Sequence, residues 1–412
     1  MSLNTIVIMG AGQAGYQVAA SLRQEGFAGT ITLVGDEPGL PYQRPPLSKA
    51  YLLGKVGEAT LRFRPEEFYV QHRIERLRDS VVGIDRTARK VALAGGSALG
   101  YDHLVLAPGA RNRVPDVPGV ELEGVFGIRT LADADALAPH LETARHAVVV
   151  GAGFIGLEFA AVAAARGISV QVLEIGSRPM ARAVSQPMSA LFDAAHAGWG
   201  VQMRYGQSLA RILGDGGRVC EVETADGETL PADLVVYGIG VLPNAEVAAQ
   251  AGLAVANGIL VDAQLCTSDP AISALGDVAC FPSPWASGPI RLESVQNAVD
   301  QARTIAARLM GKPAPYTALP WFWTDQGNLK LQIVGLSNGH DTTVRLGSPE
   351  AGQMSVLCFR AGRLVAVESC NRPADHMAAR KLLARAPSLT AEEASAAGFD
   401  LKAHELATRV VT

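Results

Sequence analysis

An α/β fold with two repeated strand–turn–helix units and a C-terminal α+β module is what this sequence predicts. Three observations carry it. The run "TIVIMGAGQAGYQVAASLRQEG" passes from apolar strand to glycine turn to helix, and "ITLVGDE" adds a second strand ending in acid. "HAVVVGAGFIGLEFAAVAAARG" and "ISVQVLE" repeat that order 141 positions on, from Gly10 to Gly151. Beyond about residue 320, short apolar strands alternate with turn residues.

Each repeat contains GxGxxG: Gly10, Gly12 and Gly15, then Gly151, Gly153 and Gly156. The first glycine permits a tight turn, and the second lets a pyrophosphate approach the backbone. The third lets helix and strand pack closely, with the helix N-terminus facing the phosphates. Ala14 and Ile155 lie inside these turns. An acid about 20 residues on, Asp36 or Glu37 in the first copy and Glu174 in the second, suits ribose hydroxyls. Two such Rossmann-like units imply two dinucleotides. A carboxylate at Glu174 would repel a 2′-phosphate, which favours NADH over NADPH. Arg178, close behind, is either a phosphate partner or a solvated loop arginine.

The remaining composition sets bounds. The 412 residues are 48% apolar, enough for two or three cored domains. A formal charge of −4 argues against phosphate-driven nucleic-acid binding. The apolar window Ala147–Ala165 contains three glycines and Glu158, so strand, turn and helix fit it better than a membrane span. No basic leader opens the chain, and a cytoplasmic protein is expected. Cysteines stand at 220, 266, 280, 358 and 370, without CxxC spacing, so reduced thiols and no bound metal are expected.

Taken in order, "GAGQAG", "LPYQRPPLSKAYL", "HLVLAPGAR", "GIRTL", "GAGFIGLEFAA", "GIGVLPN", "TSDPAISALGDVACF", "ESVQNAVDQA" and "PWFWTDQG" cover essentially the whole chain. In these the sequence resembles the NADH-dependent ferredoxin reductases of bacterial oxygenase systems, the putidaredoxin and palustrisredoxin reductase type, within the glutathione-reductase superfamily. The resemblance implies an FAD domain at about 1–110 and 245–320, an NAD domain at 111–244, and a C-terminal interface domain at 321–412. In that last part "LQIVGL", "TTVRLG", "MSVLCFRAG" and "RLVAVESC" read as strands. A helix from about Pro373 to Ala386 follows, and Thr390 and Glu393 form a capping box. One departure is Ala107-Pro108-Gly109, where the superfamily often has Ala-Thr-Gly.

The resemblance also implies site residues. Asp277 would bond the ribityl chain of FAD, and a helix starting near Val295 would direct free N–H groups at the flavin pyrimidine. Arg129 would contact the flavin and Val81 the adenine side, and Pro46 and Gly240 would be cofactor-binding. Glu158, on the first turn after the second GxGxxG, would face the nicotinamide end. Lys49 would reach the flavin from the other dinucleotide domain and pair with Glu158 near the hydride-transfer locus. Alternatively, Glu158 is a helix-dipole carboxylate and Lys49 an exposed lysine. In the aromatic run, Trp323 is a candidate for the electron path, or else Trp321, Phe322 and Trp323 wedge the third domain onto the first. Arg303, Arg308, Lys330, Arg380 and Lys381 are candidates for docking an acidic partner.

The expected activity is transfer of electrons from NADH through FAD to a 2Fe–2S ferredoxin that feeds a bacterial monooxygenase, of haem-thiolate type by preference, or a dioxygenase. A dithiol relay needs a cysteine pair against the flavin, and none precedes position 220. An NADH oxidase and an NADH-responsive redox sensor remain as alternatives.

Overall fold

Two five-stranded parallel sheets, each opening into a glycine turn, organise the chain. The computed structural model describes residues 3–385 and 388–409. It divides into two compact units. One comprises Met1–Gln43, Glu58–Arg111 and Val241–Pro320, the other Arg44–Gly57, Asn112–Gly240 and Trp321–Thr412.

In the first unit the strand Thr5–Met9 lies at the centre, between Thr30–Gly35 and His103–Leu106. Ile74–Arg78 and Ile272–Ala274 form the edges. The three inner strands read as largely apolar runs because they are buried within the core of the unit. Helix Gln13–Gln24 buries Ala14, Gly15, Val18, Ala19 and Leu22. It packs against helix Val295–Leu309, which buries Ala298, Ala302 and Ile305. Each fully buried Leu or Ile of this interface contributes about 1.5–3 kcal/mol.

The second unit repeats the order around His146–Val150, flanked by Ser169–Glu174 and Leu234–Tyr237, with Gln202–Tyr205 and Val125–Gly127 outermost. The copies differ in the fifth strand, which comes last along the chain in the first unit and earliest in the second. Helix Phe154–Ala165 is apolar nearly all round and buries Gly156 through Ala163, Glu158 included. A helix of that kind needs cover on every side. The sheet supplies one side; the strand Trp321–Gln326 and the turn Leu47–Tyr51 supply others.

The C-terminal module is one antiparallel sheet in the order Trp321–Gln326, Leu329–Gly335, Arg363–Cys370, Gln353–Arg360, Thr342–Ser348. Four of these strands were expected. The fifth, Trp321–Gln326, was not, because three consecutive aromatics hide its alternation. Ala361 and Gly362, both with positive φ, close the hairpin between the two long strands. The following helix runs Pro373–Leu383, short of the expected end; Ala386 lies outside the described residues. The Thr390–Glu393 capping box is present. No helix among the described residues is long and apolar enough to cross a membrane.

Candidate functional site

The first glycine turn is shaped by close approach. Gly10 has φ of +104°, and a Cβ there would lie 2.1 Å from the Ala107 carbonyl oxygen. At Gly15 it would lie 1.9 Å from the oxygen of Gly10. Both positions therefore require glycine. Gly12 differs: its backbone is ordinary, and a Cβ would meet nothing within 4 Å. The turn thus presents open space and helix N–H groups at the one glycine that packing does not need. Such a cradle fits the pyrophosphate of a dinucleotide.

Around this cradle the first unit gathers most of its expected cofactor residues. Gly276, with φ of +74°, is so near the turn that a Cβ would come 3.1 Å from that of Ala14, which places Asp277 beside the helix start. Helix Val295–Leu309 begins at Val295 as expected, capped by the Ser294 hydroxyl, which accepts from the Asn297 N–H at 3.1 Å. Of the two acids after the second strand, Asp36 is exposed, whereas Glu37 is half-buried and accepts from the Tyr42 hydroxyl. Val81, buried, opens a strand two residues beyond Asp79, whose N–H bonds the Gly35 carbonyl. The unusual Pro108 turn is clasped by Asn244, which donates from its side chain to Pro108 O at 2.9 Å and from its backbone to Gly109 O at 3.0 Å.

The second turn follows the same rule. A Cβ at Gly156 would lie 2.3 Å from the oxygen of Gly151, while at Gly153 its nearest neighbour is Gly238 O at 3.5 Å. Ile155 is half-buried on the first helical turn, and Gly240 has φ of +103° with open space around its Cα. The Glu174 carboxylate ends its strand by accepting from Ala152 N at 2.8 Å and Gly176 N at 2.7 Å. Arg178 is occupied by backbone: it donates to Val184 O at 2.9 Å and Ala181 O at 2.8 Å, which folds the loop after Glu174 back on itself.

Two separate segments of the second unit converge on Glu158. Lys49 Nζ lies 2.8 Å from Oε1, Thr324 Oγ1 donates to the same oxygen at 2.6 Å, and Ser48 Oγ donates to Oε2 at 2.5 Å. A carboxylate only 5% exposed is thereby paired and fully bonded, as burial of a charge requires. Glu158 stands on the second turn of its helix, not the first, because the helix begins only at Phe154. Lys49 sits in a single π-helical turn, Leu47–Tyr51, introduced by Pro46. The segment around it groups with the second unit, which explains how both members of the pair come together there. Tyr51 donates to Asp135, Arg44 to the Arg129 carbonyl, and Arg166 to the Leu52 carbonyl.

The strand Trp321–Gln326 has two different faces. Phe322, Thr324 and Gln326 turn toward Phe154, Glu158 and His196. Trp321 and Trp323, with rings 5.5 Å apart, alternate to the other face, so Trp323 and Glu158 lie on opposite sides of the strand. On that face the Arg380 guanidinium stacks 4.9 Å from the centre of the Trp321 ring, and a cleft of about 310 Å³ is lined by Trp323, Asp325, Lys330, Gln332 and Arg372. Lys330, which lines the cleft, is exposed, and so is Lys381 on helix Pro373–Leu383. Arg303 and Arg308 belong to the first unit instead. Arg303 pairs with Asp300, and Arg308 turns inward to Cys266 and Ser273, so Arg308 is no docking residue. Sequence reasoning missed Thr324, Gln326 and His196; a threonine within an aromatic run carries no signal of its own.

None of the five cysteines is disulfide-bonded. Burial pushes the Cys370 thiol up to about 12 and raises that of Cys358 further, so neither offers a thiolate.

The model of the pyridine nucleotide-disulphide oxidoreductase family matches residues 4–302, and that of the reductase C-terminal domain matches 321–404. Rhodocoxin reductase of Rhodococcus erythropolis is 52% identical over 399 residues, covering 97% of this chain and 93% of its own length. Putidaredoxin reductase of Pseudomonas putida is 40% identical over 386 residues, 92% of each chain. Among solved structures, the ferredoxin reductase for the CYP199A2 system from Rhodopseudomonas palustris superposes with a TM-score of 0.96 at 52% identity, over 98% of this chain and 100% of that one. The covalent putidaredoxin reductase–putidaredoxin complex gives 0.95 at 38% identity, over 98% of both chains. The chain belongs to the pyridine nucleotide-disulphide oxidoreductase family, whose members use FAD and a nicotinamide dinucleotide.

Proposed function

We propose that this protein carries electrons from NADH through FAD to a 2Fe–2S ferredoxin serving an oxygenase, and that the oxygenase is a monooxygenase of haem-thiolate type. The observation that carries the reading is the chemistry of the segment 44–57. It brings a hydroxyl and an ammonium, Ser48 and Lys49, onto Glu158, and holds no thiol. A dithiol exit is therefore missing from the place where the disulfide-reducing relatives carry one. FAD, when bound, supplies the conversion of a two-electron donor into two single-electron deliveries. The relatives named for ferredoxins and the structure solved with putidaredoxin support a protein acceptor.

The chain's own residues would divide the work as follows. Gly10, Gly12 and Gly15, with Glu37 or Asp36, would hold the FAD pyrophosphate and ribose, and Ala14, Val81, Asp277 and Val295 its remaining parts. Gly151, Gly153, Ile155 and Gly156 would hold NADH, with Gly240 beside them. Glu174 would take the adenosine ribose, and Arg178, already spent on carbonyls, leaves a 2′-phosphate without that partner, which supports NADH. Lys49 and Glu158 would keep the nicotinamide end polar and oriented, with Pro46 and Arg129 on the flavin side. Trp323, Lys330 and Arg380 share the face we assign to the acidic ferredoxin, and Lys381 follows Arg380 on its helix. We place the protein in the cytoplasm. Turnover of NADH with a panel of 2Fe–2S ferredoxins, beside disulfide substrates, tests this reading. Ferredoxin-dependent turnover with no disulfide reduction is expected, and the reverse would refute it.

A further inference from the structure

Glu158 is held by more than its lysine. Lys49 touches only Oε1, and an ammonium is a compact point charge on a flexible stem. The terminal torsion of a glutamate is broad. One ammonium on one oxygen therefore supplies charge without fixing the carboxylate plane. The plane is fixed by hydroxyls, Ser48 on Oε2 and Thr324 on Oε1.

Thr324 is itself directed. The Gln326 side-chain amide donates to Thr324 Oγ1 at 3.4 Å, so the threonine proton is left for Glu158. Gln326 Oε1 accepts from His196 Nε2 at 2.8 Å, which orients the amide with its nitrogen toward the threonine. Burial lowers the pKa of His196, so the ring is neutral with its proton on Nε2. The polarity runs one way: His196 to Gln326 to Thr324 to Glu158. All four residues are at most 5% exposed, and Thr324, Gln326 and His196 are at 0%. The strand that bears Thr324 and Gln326 is also anchored at Phe322, whose ring lies 4.6 Å from that of Phe154.

We propose that His196, Gln326 and Thr324 form a directional hydrogen-bond chain that sets the orientation of Glu158, with Thr324 as the positioning residue through which the C-terminal module governs the nicotinamide end. Lys49 provides the charge and Thr324 the direction. The inference rests on the reading of Glu158 as the residue facing the nicotinamide.

The test compares Thr324→Val, Thr324→Ser and Glu158→Gln as holoenzymes. Limiting flavin reduction by NADH, the Kd for NADH, and a crystal structure of each oxidised variant are measured. Thr324→Val is expected to slow the limiting rate about tenfold, the equivalent of one lost hydrogen bond to a charged group, with Kd within about twofold. Its Glu158 carboxylate should be rotated or split between orientations. Thr324→Ser should restore both rate and orientation. A native rate and a single native orientation in Thr324→Val, with Glu158→Gln impaired, would overturn the chain. Equal impairment of Val and Ser variants would overturn it too, marking Thr324 as a packing residue. A native rate in Glu158→Gln would instead overturn the underlying assignment of Glu158, and the inference with it.

Discussion

Lys49 Nζ and Glu158 Oε1 lie 2.8 Å apart although 109 residues of chain separate them, with side chains only 15% and 6% exposed. Removing the lysine leaves a buried carboxylate with two neutral donors. Lys49→Ala should therefore destabilise the protein by about 3 kcal/mol and slow flavin reduction by NADH. Thermal unfolding and a single-turnover reaction check both effects. An unchanged rate would remove Lys49 from the site.

The two kinds of glycine in the first turn should separate folding from binding. Gly15→Ala places a methyl 1.9 Å from the Gly10 oxygen and should prevent the first unit from folding. Gly12→Ala meets no protein atom within 4 Å, so it should fold normally and yet lose FAD affinity by at least about tenfold, from crowding of the phosphate site. Circular dichroism and flavin content of the purified protein tell them apart. A fully flavinated Gly12→Ala protein would contradict the assignment of this cradle.

These glycines were legible in the sequence because both turns demand residues that no side chain can replace, between an apolar strand and an apolar helix. The succession of strand, turn, helix and second strand in each unit followed from the same repeat. Thr324 was not legible: Trp321, Phe322 and Trp323 present apolar side chains to both faces of an edge strand, so no period of two appears. The inward turn of Arg308 onto Cys266 and Ser273 depends on contacts 35 and 42 residues away, and charge alone suggested a surface role. The Ser48–Glu158 bond spans 110 residues, beyond any local pattern.

Buried histidines should make the protein sensitive to acid. Burial lowers His376 to about 4, with the Arg380 cation adding to it, and both its ring nitrogens lack a partner among the described residues. His103, likewise desolvated and near Arg308, is lowered to about 3. An unfolded histidine takes its proton near 6.5, before the folded one does. Stability is therefore full above that value and falls as pH drops from about 6.5 toward 4. His376→Leu should flatten part of that loss and cost little at neutral pH, since an unbonded ring is replaced by an apolar group. Denaturant titrations between pH 7.5 and about 5 measure the slope; an unchanged slope would show that His376 does not contribute.

The two tryptophans should behave differently on truncation. Trp321 lies beneath Arg380 and against His376, and Trp321→Ala should lower Tm by several degrees. Trp323 lines the cleft, and Trp323→Ala should leave Tm within about 2 °C while lowering ferredoxin-linked turnover about tenfold. Reduction of a small artificial acceptor serves as the control. Equal loss with both acceptors would assign Trp323 to the flavin environment instead of the acceptor face.

The claim that electrons enter as a pair from NADH and leave singly to a protein acceptor is tested most directly by anaerobic double-mixing stopped flow. The enzyme is first reduced with one equivalent of NADH and then mixed with a 2Fe–2S ferredoxin. Rapid flavin reduction is expected, followed by reoxidation whose rate rises with ferredoxin concentration and yields two reduced ferredoxins per NADH. A long-lived reduced enzyme–NAD complex, indifferent to ferredoxin, would contradict it and identify a redox sensor.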